Sequence, residues 1–164
     1  MAHGLFTSMI TNDCKNIVVH PPTLITEGAT ATIKITNGGF SSTELQVSSL
    51  VTTLTIATSD IGTDKGVFHI KYYEDGVLQR DGGVVATCDI LCCLSKKVDK
   101  LLDCSADCSK CASELAEAQQ IFLLLKSAQT ELSGSSVTAA KIANATSKYS
   151  KAAEICGGHC GCNC

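Results

Sequence analysis

Cysteine is the residue type best able to carry chemistry in this sequence, and its distribution is uneven. The chain has 164 residues and 11 cysteines, of which only Cys14 precedes residue 88. Cys104, Cys108 and Cys111 are separated by four and three residues, so on a helix they would lie on one face. The chain ends in a second group that also contains a histidine: Cys156, His159, Cys160, Cys162 and Cys164. Sulfur and imidazole ligands in two such groups are typical of a metal site or of a cluster of disulfides.

A helical turn at Gly134 would bring the C-terminal group back beside residues 108 and 111. We therefore predict a metal site, with zinc as the expected metal because thiolate and imidazole ligands suit it and because such a site would stabilise a small core. The predicted ligands are Cys104, Cys108, Cys111, Cys156, His159, Cys160, Cys162 and Cys164. Two alternatives remain open, namely disulfides formed after assembly and cysteines that act as small buried core residues. Iron-sulfur ligation fits the ligand type, but the cysteines lack a ferredoxin-like spacing, so we do not expect it.

Three further cysteines lie between these groups and the first part of the chain. Cys88 and Cys92 have the i, i+4 spacing of one helix face. Cys92 and Cys93 are adjacent and cannot both face one helix interface, so we expect at least one of them to be a packing residue or an exposed thiol.

Other polar side chains give no catalytic pattern. His69 lies in a predicted strand and is expected to be a sheet-face residue instead of a catalytic base. Acidic residues such as Asp60, Asp64, Asp75 and Asp81 fall in predicted turns, where aspartate caps the local backbone. No serine elbow, His/Asp pairing or Cys/His dyad has sequence support, so we predict that the chain is not an enzyme.

The first 88 residues are predicted to form a small β domain. Residues 29–36 and 67–73 are rich in β-branched and aromatic residues, two further strands are predicted within residues 45–56, and short strands are expected at 16–19, 23–26, 77–79 and 84–88. Turns are predicted at 74–76 and at the Asp81-Gly82-Gly83 sequence. This spacing predicts a small antiparallel β-sandwich of immunoglobulin-like type, within an α+β chain.

After Cys88 the apolar period changes to that of helices. Residues 84–133 contain neither glycine nor proline, and apolar residues recur every three to four positions. We expect one continuous helix after Cys88, up to about residue 133, and a second helix from about Val137 to Ile155. Residues 103–110 have weaker helix propensity, but nothing in them forbids a continuous helix. The predicted units are therefore a β-sandwich domain at 1–88, an antiparallel helical hairpin at 89–156 and a cysteine-rich tail at 157–164.

Composition narrows the function classes. The formal net charge is -3 and no run of basic residues occurs, so we expect no nucleic-acid partner. The N-terminal sequence lacks the basic and apolar segments of a signal peptide, and apolar runs are too short to span a bilayer, so we expect no membrane partner. Tryptophan is absent and aromatics make up 4% of residues, which removes the side chains that dominate tight binding pockets.

Three functions from different classes follow. The first is an assembly component that packs against copies of itself, because a small aromatic-poor domain is marginal alone. The second is a metal-binding or redox module that uses the C-terminal cysteine cluster. The third is an adaptor that recognises a partner by strand addition at a sheet edge.

A resemblance favours the first function. The strand-turn-strand sequence FHIKYYEDGV at 68–77, the sequence CCL at 92–94, the helical sequence VDKLL at 98–102 and the cysteine-rich end resemble small virion structural proteins of tailed bacteriophages. The resemblance implies a non-enzymatic structural part of the virion, such as a neck, tail, baseplate or capsid-surface element, that forms a homo-oligomer and contacts other virion proteins. It also implies synthesis in the reducing host cytoplasm and later exposure to oxidising surroundings, which would let the cysteines form disulfides after assembly.

Overall fold

A computed structural model shows an α+β fold, with two antiparallel sheets and four helices among the residues that it describes. The structure describes residues 6–22, 24–48, 50–104, 109–133 and 137–157. The strands are β1 (Thr7–Ile10), β2 (Asn16–His20), β3 (Ala31–Asn37), β4 (Phe40–Ser41), β5 (Leu45–Val47), β6 (Leu54–Ala57), β7 (Gly66–Glu74) and β8 (Val77–Ala86). The helices are α1 (Thr58–Ile61), α2 (Cys88–Leu102), α3 (Ser109–Leu132) and α4 (Ala139–Ile155). The predicted α+β class and the β-to-α order along the chain are confirmed.

The strands form two sheets that share one core. The smaller sheet has the order β1-β2-β6, and the larger has β3 at its centre, with β4 and β5 on one side and β7 followed by β8 on the other. Ile17 and Val19 of the smaller sheet belong to the same buried cluster as Ile35, Ile70 and Tyr72 of the larger sheet. Alternation along β7 explains this arrangement, because every second side chain points into this core.

The opposite face of the larger sheet is covered in part by helices. Val67 and Val85 form a second buried cluster with Leu132 at the end of α3 and with Ala145 of α4. A third cluster lies among the helices themselves and contains Ile90, Cys93, Ile121, Leu125 and Ala152. The larger sheet and the helices therefore pack together through apolar side chains. The division of the chain into units at residues 88 and 156 stays a prediction.

Three expectations for the β region are wrong, and one of them is the turn at Asp60, which lies in the short helix α1. The predicted turn at Asp81-Gly82-Gly83 is part of the continuous strand β8, which pairs with β7 along its length. The two glycines serve close packing instead of a turn, because a Cβ at Gly82 would lie 3.1 Å from the ring of Phe6 and one at Gly83 would lie 2.9 Å from Leu132. The strand predicted at 23–26 is not formed by its described residues, 24–26.

The expected continuous helix is also wrong. Helix α2 ends at Leu102, and α3 begins at Ser109 and packs along both α2 and α4. The break falls in the segment of weak helix propensity, where the gain from packing α3 back along α2 exceeds the small cost of ending the helix.

Candidate functional site

The candidate site is helix α2 together with the disulfides that fix it. Cys14 is joined to Cys88, Cys93 to Cys156, and Cys104 to Cys111. Their Cα atoms are 6.2, 6.0 and 6.1 Å apart, within the range of ordinary disulfides. Cys92 is disulfide-bonded as well, so every cysteine that the structure describes is oxidised.

The first disulfide ties the start of α2 to the β region. Cys14 is buried in a tight turn with φ of 56°, and its N–H donates to the carbonyl of Thr11 over 2.8 Å. The hydroxyl of Thr58 donates to the carbonyl of Cys14 over 2.9 Å and fixes the turn from the other side. Cys88 is the first residue of α2. The helix is therefore anchored where it begins.

The second disulfide ties the middle of α2 to the end of α4. Cys93 lies on the inner face of α2 and is buried in the third cluster, whereas Cys156 is the C-cap of α4. The hydroxyl of Tyr149 on α4 also donates to Asp89 on α2 over 2.7 Å. Burial, followed by this hydrogen bond and the negative charge of Asp89, raises the pKa of Tyr149, so the hydroxyl stays protonated as a donor.

The third disulfide closes the break between α2 and α3. Cys104 lies just beyond α2 and Cys111 lies in the first turns of α3. Beside it, the Lys97 ammonium is 3.0 Å from Glu114 and also contacts Glu117. The hydrogen bond to Glu117 is the largest cause that raises the pKa of Lys97, and Lys97 in turn lowers the pKa of Glu114. This ion pair holds α3 against α2.

The disulfides involve several of the cysteines that the sequence predicts as metal ligands. Of the eight, Cys104, Cys111 and Cys156 are described, and the structure joins the first two to each other and the third to Cys93. A sulfur in a disulfide is not a thiolate and does not ligate zinc in that state. The described residues contain no group of three or more possible metal ligands. Cys108, His159, Cys160, Cys162 and Cys164 lie outside the described residues, as does the expected approach of the tail to Cys108.

Two features of the site were missed by sequence reasoning. The partner of Cys88 is Cys14, which is 74 residues away, and only its isolation in the first half of the chain could have drawn attention to it. The expectation that Cys92 or Cys93 is a plain packing residue or a thiol is wrong, since both are disulfide-bonded. Adjacent cysteines can both be bonded when their partners approach from different sides of the helix.

The outer face of α2 carries exposed apolar side chains. Leu91 is 50% exposed, Val98 44% and Leu102 79%. The buried residues of α2, Ile90 and Cys93, lie on its other side. The disulfides and the ion pairs of Lys97 therefore hold a helix that presents an exposed apolar stripe, flanked by exposed polar residues such as Lys96 and Asp99.

Elsewhere, two polar groups are held in the larger sheet. His69 lies on a sheet face, and its Nε2 is 2.9 Å from the Oδ1 of Asp81. Burial lowers the pKa of His69, and Asp81 opposes this shift. On the other face, the hydroxyl of buried Tyr72 donates to Glu74 over 2.8 Å, and Thr26 donates to the second oxygen of that carboxylate.

Comparison with known proteins gives no relative. No family model, curated protein sequence or solved structure matches the chain. Among the described residues, no helix has the length and apolar character needed to cross a membrane.

Proposed function

We propose that the protein is a non-enzymatic structural and assembly component of a bacteriophage virion, such as a neck, tail, baseplate or capsid-surface element. The observation that carries this proposal is the apolar outer face of α2 on a helix held in place by disulfides. An exposed apolar helix face is typical of a contact surface for another protein. Contacts that need no oxidation, namely the Tyr149–Asp89 hydrogen bond and the ion pairs of Lys97, fix this face before contact and so lower the entropy lost on association.

The disulfides support the proposal that the assembled particle later meets oxidising surroundings. A chain made in the host cytoplasm is kept reduced there, and disulfides persist once the particle meets oxidising surroundings. Cross-links from α2 to the β region and to α4 would then stabilise the folded chain within the assembled particle against unfolding. The partners proposed are copies of the same chain and other virion proteins, with neither nucleic acid nor membrane as a partner.

The finer description of the fold belongs to the same proposal. Two antiparallel sheets that share a core are consistent with a small β-sandwich of immunoglobulin-like type. Helices α3 and α4, which pack along each other, would be the predicted antiparallel hairpin, with α2 as an additional helix against α3.

The virion assignment is tested by the composition of particles. Phage particles produced by cells that carry the gene are purified by density and digested with protease for mass spectrometry. The proposal expects peptides of this chain in stoichiometric ratio to other virion proteins. Peptides found only in the soluble fraction of the lysed cells would contradict it.

A second candidate is a metal-binding or redox module that uses the C-terminal cysteine cluster. It is favoured by the number of cysteines on and next to α2, namely Cys88, Cys92, Cys93 and Cys104. The test is to reduce the protein, add zinc and measure the bound metal after dialysis. One zinc retained per chain, with loss of metal when Cys104 and Cys111 are both changed to serine, would favour this candidate over the first.

A further inference from the structure

The exposed residues on the outer face of α2 follow a coiled-coil spacing. Leu91, Ser95, Val98 and Leu102 are separated by four, three and four residues, the d-a-d-a spacing of two heptads. We call these four residues the α2 seam. All four are exposed, whereas Cys93, on the opposite side of the helix, is buried in the protein. A narrow stripe of this kind is typical of a helix that pairs with one other helix.

The order of residues in the α2 seam is self-complementary. In an antiparallel pair of helices, each a position packs against a d position of the partner, whereas in a parallel pair a faces a and d faces d. Two copies of α2 placed antiparallel would set Leu91 against Leu102 and Ser95 against Val98, and each contact would occur twice. A parallel pair would instead set two serines against each other in the middle of the seam and leave a polar gap.

We propose that the partner of the α2 seam is the α2 seam of a second copy of this chain, in an antiparallel arrangement about a twofold axis between Ser95 and Val98. This inference deepens the proposed assembly function and rests on it. A twofold interface uses the same patch on both subunits, so the patch must match itself, and the order of this seam does so. The antiparallel arrangement also places the positive end of each helix dipole beside the negative end of the other.

The contacts of α2 within its own chain explain why so short a seam suffices. A helix of 15 residues is about 22 Å long, and isolated helices of this length are marginal in water. Because α2 packs in the chain through Ile90 and Cys93 and is held to α3 by the ion pairs of Lys97, it does not need to fold as the dimer forms. Little ordering entropy is lost on pairing.

The test is sedimentation velocity of the full chain with its disulfides intact, over a range of concentrations. The wild type is expected to shift from monomer to dimer as concentration rises. Ser95→Glu and Val98→Lys should each raise the dissociation constant about tenfold or more, because each places a charge opposite an uncharged partner residue. The double variant Ser95→Glu/Val98→Lys should recover most of the lost affinity, since an antiparallel pair then contains two Glu–Lys contacts.

The control variant is Leu123→Lys, at an exposed apolar residue of α3 outside the α2 seam. It should leave the dissociation constant unchanged. A wild type that stays monomeric at every concentration, a dimer that is insensitive to both single variants, or a double variant weaker than either single would each overturn the inference. Particle composition tests the virion function separately, so peptides of the chain in purified particles beside a monomeric purified protein would refute the seam and leave the assembly function standing.

Discussion

At the scale of single residues, buried polar groups are set by their surroundings. The side chain of His69 is 12% exposed and faces Asp81, so two effects compete at its ring. The effect of burial is the larger and lowers the pKa of His69 below the ordinary 6.5, although the carboxylate of Asp81 favours the charged ring. The sequence placed His69 on a sheet face, and this is confirmed. Its partner could not be predicted, because Asp81 was assigned to a turn that is part of β8.

We predict that the Asp81→Asn variant lowers the pKa of His69 further. The substitution removes the negative charge that favours the imidazolium, and burial remains. Titration of the imidazole followed by NMR measures the midpoint directly. Asp60→Asn, at an exposed carboxylate on α1, is the control and should leave the midpoint of His69 unchanged. A rise of the midpoint in Asp81→Asn would contradict this account of the pair.

The same residue gives a pH dependence of stability. As pH falls through 6.5, the unfolded chain takes up a proton at His69 before the folded chain does, because the folded pKa is lower. His69 therefore lowers the free energy of unfolding as pH falls below 6.5. In denaturant unfolding measured at several pH values, replacement of His69 by glutamine should make this part of the decline shallower, and an unchanged slope would count against it.

At the scale of elements, side-chain packing determined where α2 ends and where β8 continues, and local propensity alone did not. The break between α2 and α3 lay in a segment of weak helix propensity, but a weak segment does not by itself end a helix. What favours the break is the gain from the Lys97 ion pair and the buried cluster around Ile121. Likewise, the glycines of β8 read as a turn because the approach of Phe6 and Leu132 is not visible in the local sequence.

We predict that the Gly83→Val variant destabilises the protein by about 1–3 kcal/mol, the usual cost of overpacking. A Cβ at Gly83 would lie 2.9 Å from a terminal methyl of Leu132 and 3.1 Å from one of Ile142, so a valine there must displace both of these packed side chains. Strand propensity alone predicts the opposite sign, since valine is the better strand former. Denaturant unfolding decides between them. The control is Gly39→Val, where a Cβ would meet nothing within 4 Å, and equal effects at both positions would contradict the packing account.

We predict that the disulfides differ in their contribution to stability. The link between Cys93 and Cys156 spans 63 residues and that between Cys104 and Cys111 spans 7. The longer link restricts the unfolded chain more, with a typical contribution of about 2–4 kcal/mol. Replacing both cysteines of the longer link by alanine should therefore lower the free energy of unfolding more than the same change in the shorter link. The reverse order in denaturant unfolding would show that α2 is held by other contacts.

At the scale of the whole molecule, the sequence predicted the class and order of the parts better than their connections. Apolar alternation up to residue 88 and helical periodicity after it gave an α+β chain with antiparallel strands first. Cysteine spacing indicated proximity but could not indicate partners, since the partner of Cys88 is set by how the β region folds against α2. The exposure of Val98 could not be foreseen either, because its spacing equally fits a residue that faces the protein core.

The measurement that tests the assembly account most directly is a native mass spectrum of the full chain purified without reductant. Each disulfide lowers the chain mass by two hydrogen atoms, so the spectrum reports the oxidation state together with the oligomer and any bound metal. The account predicts a discrete oligomer of metal-free chains whose mass accounts for Cys14–Cys88, Cys93–Cys156, Cys104–Cys111 and the disulfide of Cys92. A zinc-loaded monomer with reduced cysteines would contradict it and would favour the metal-binding function.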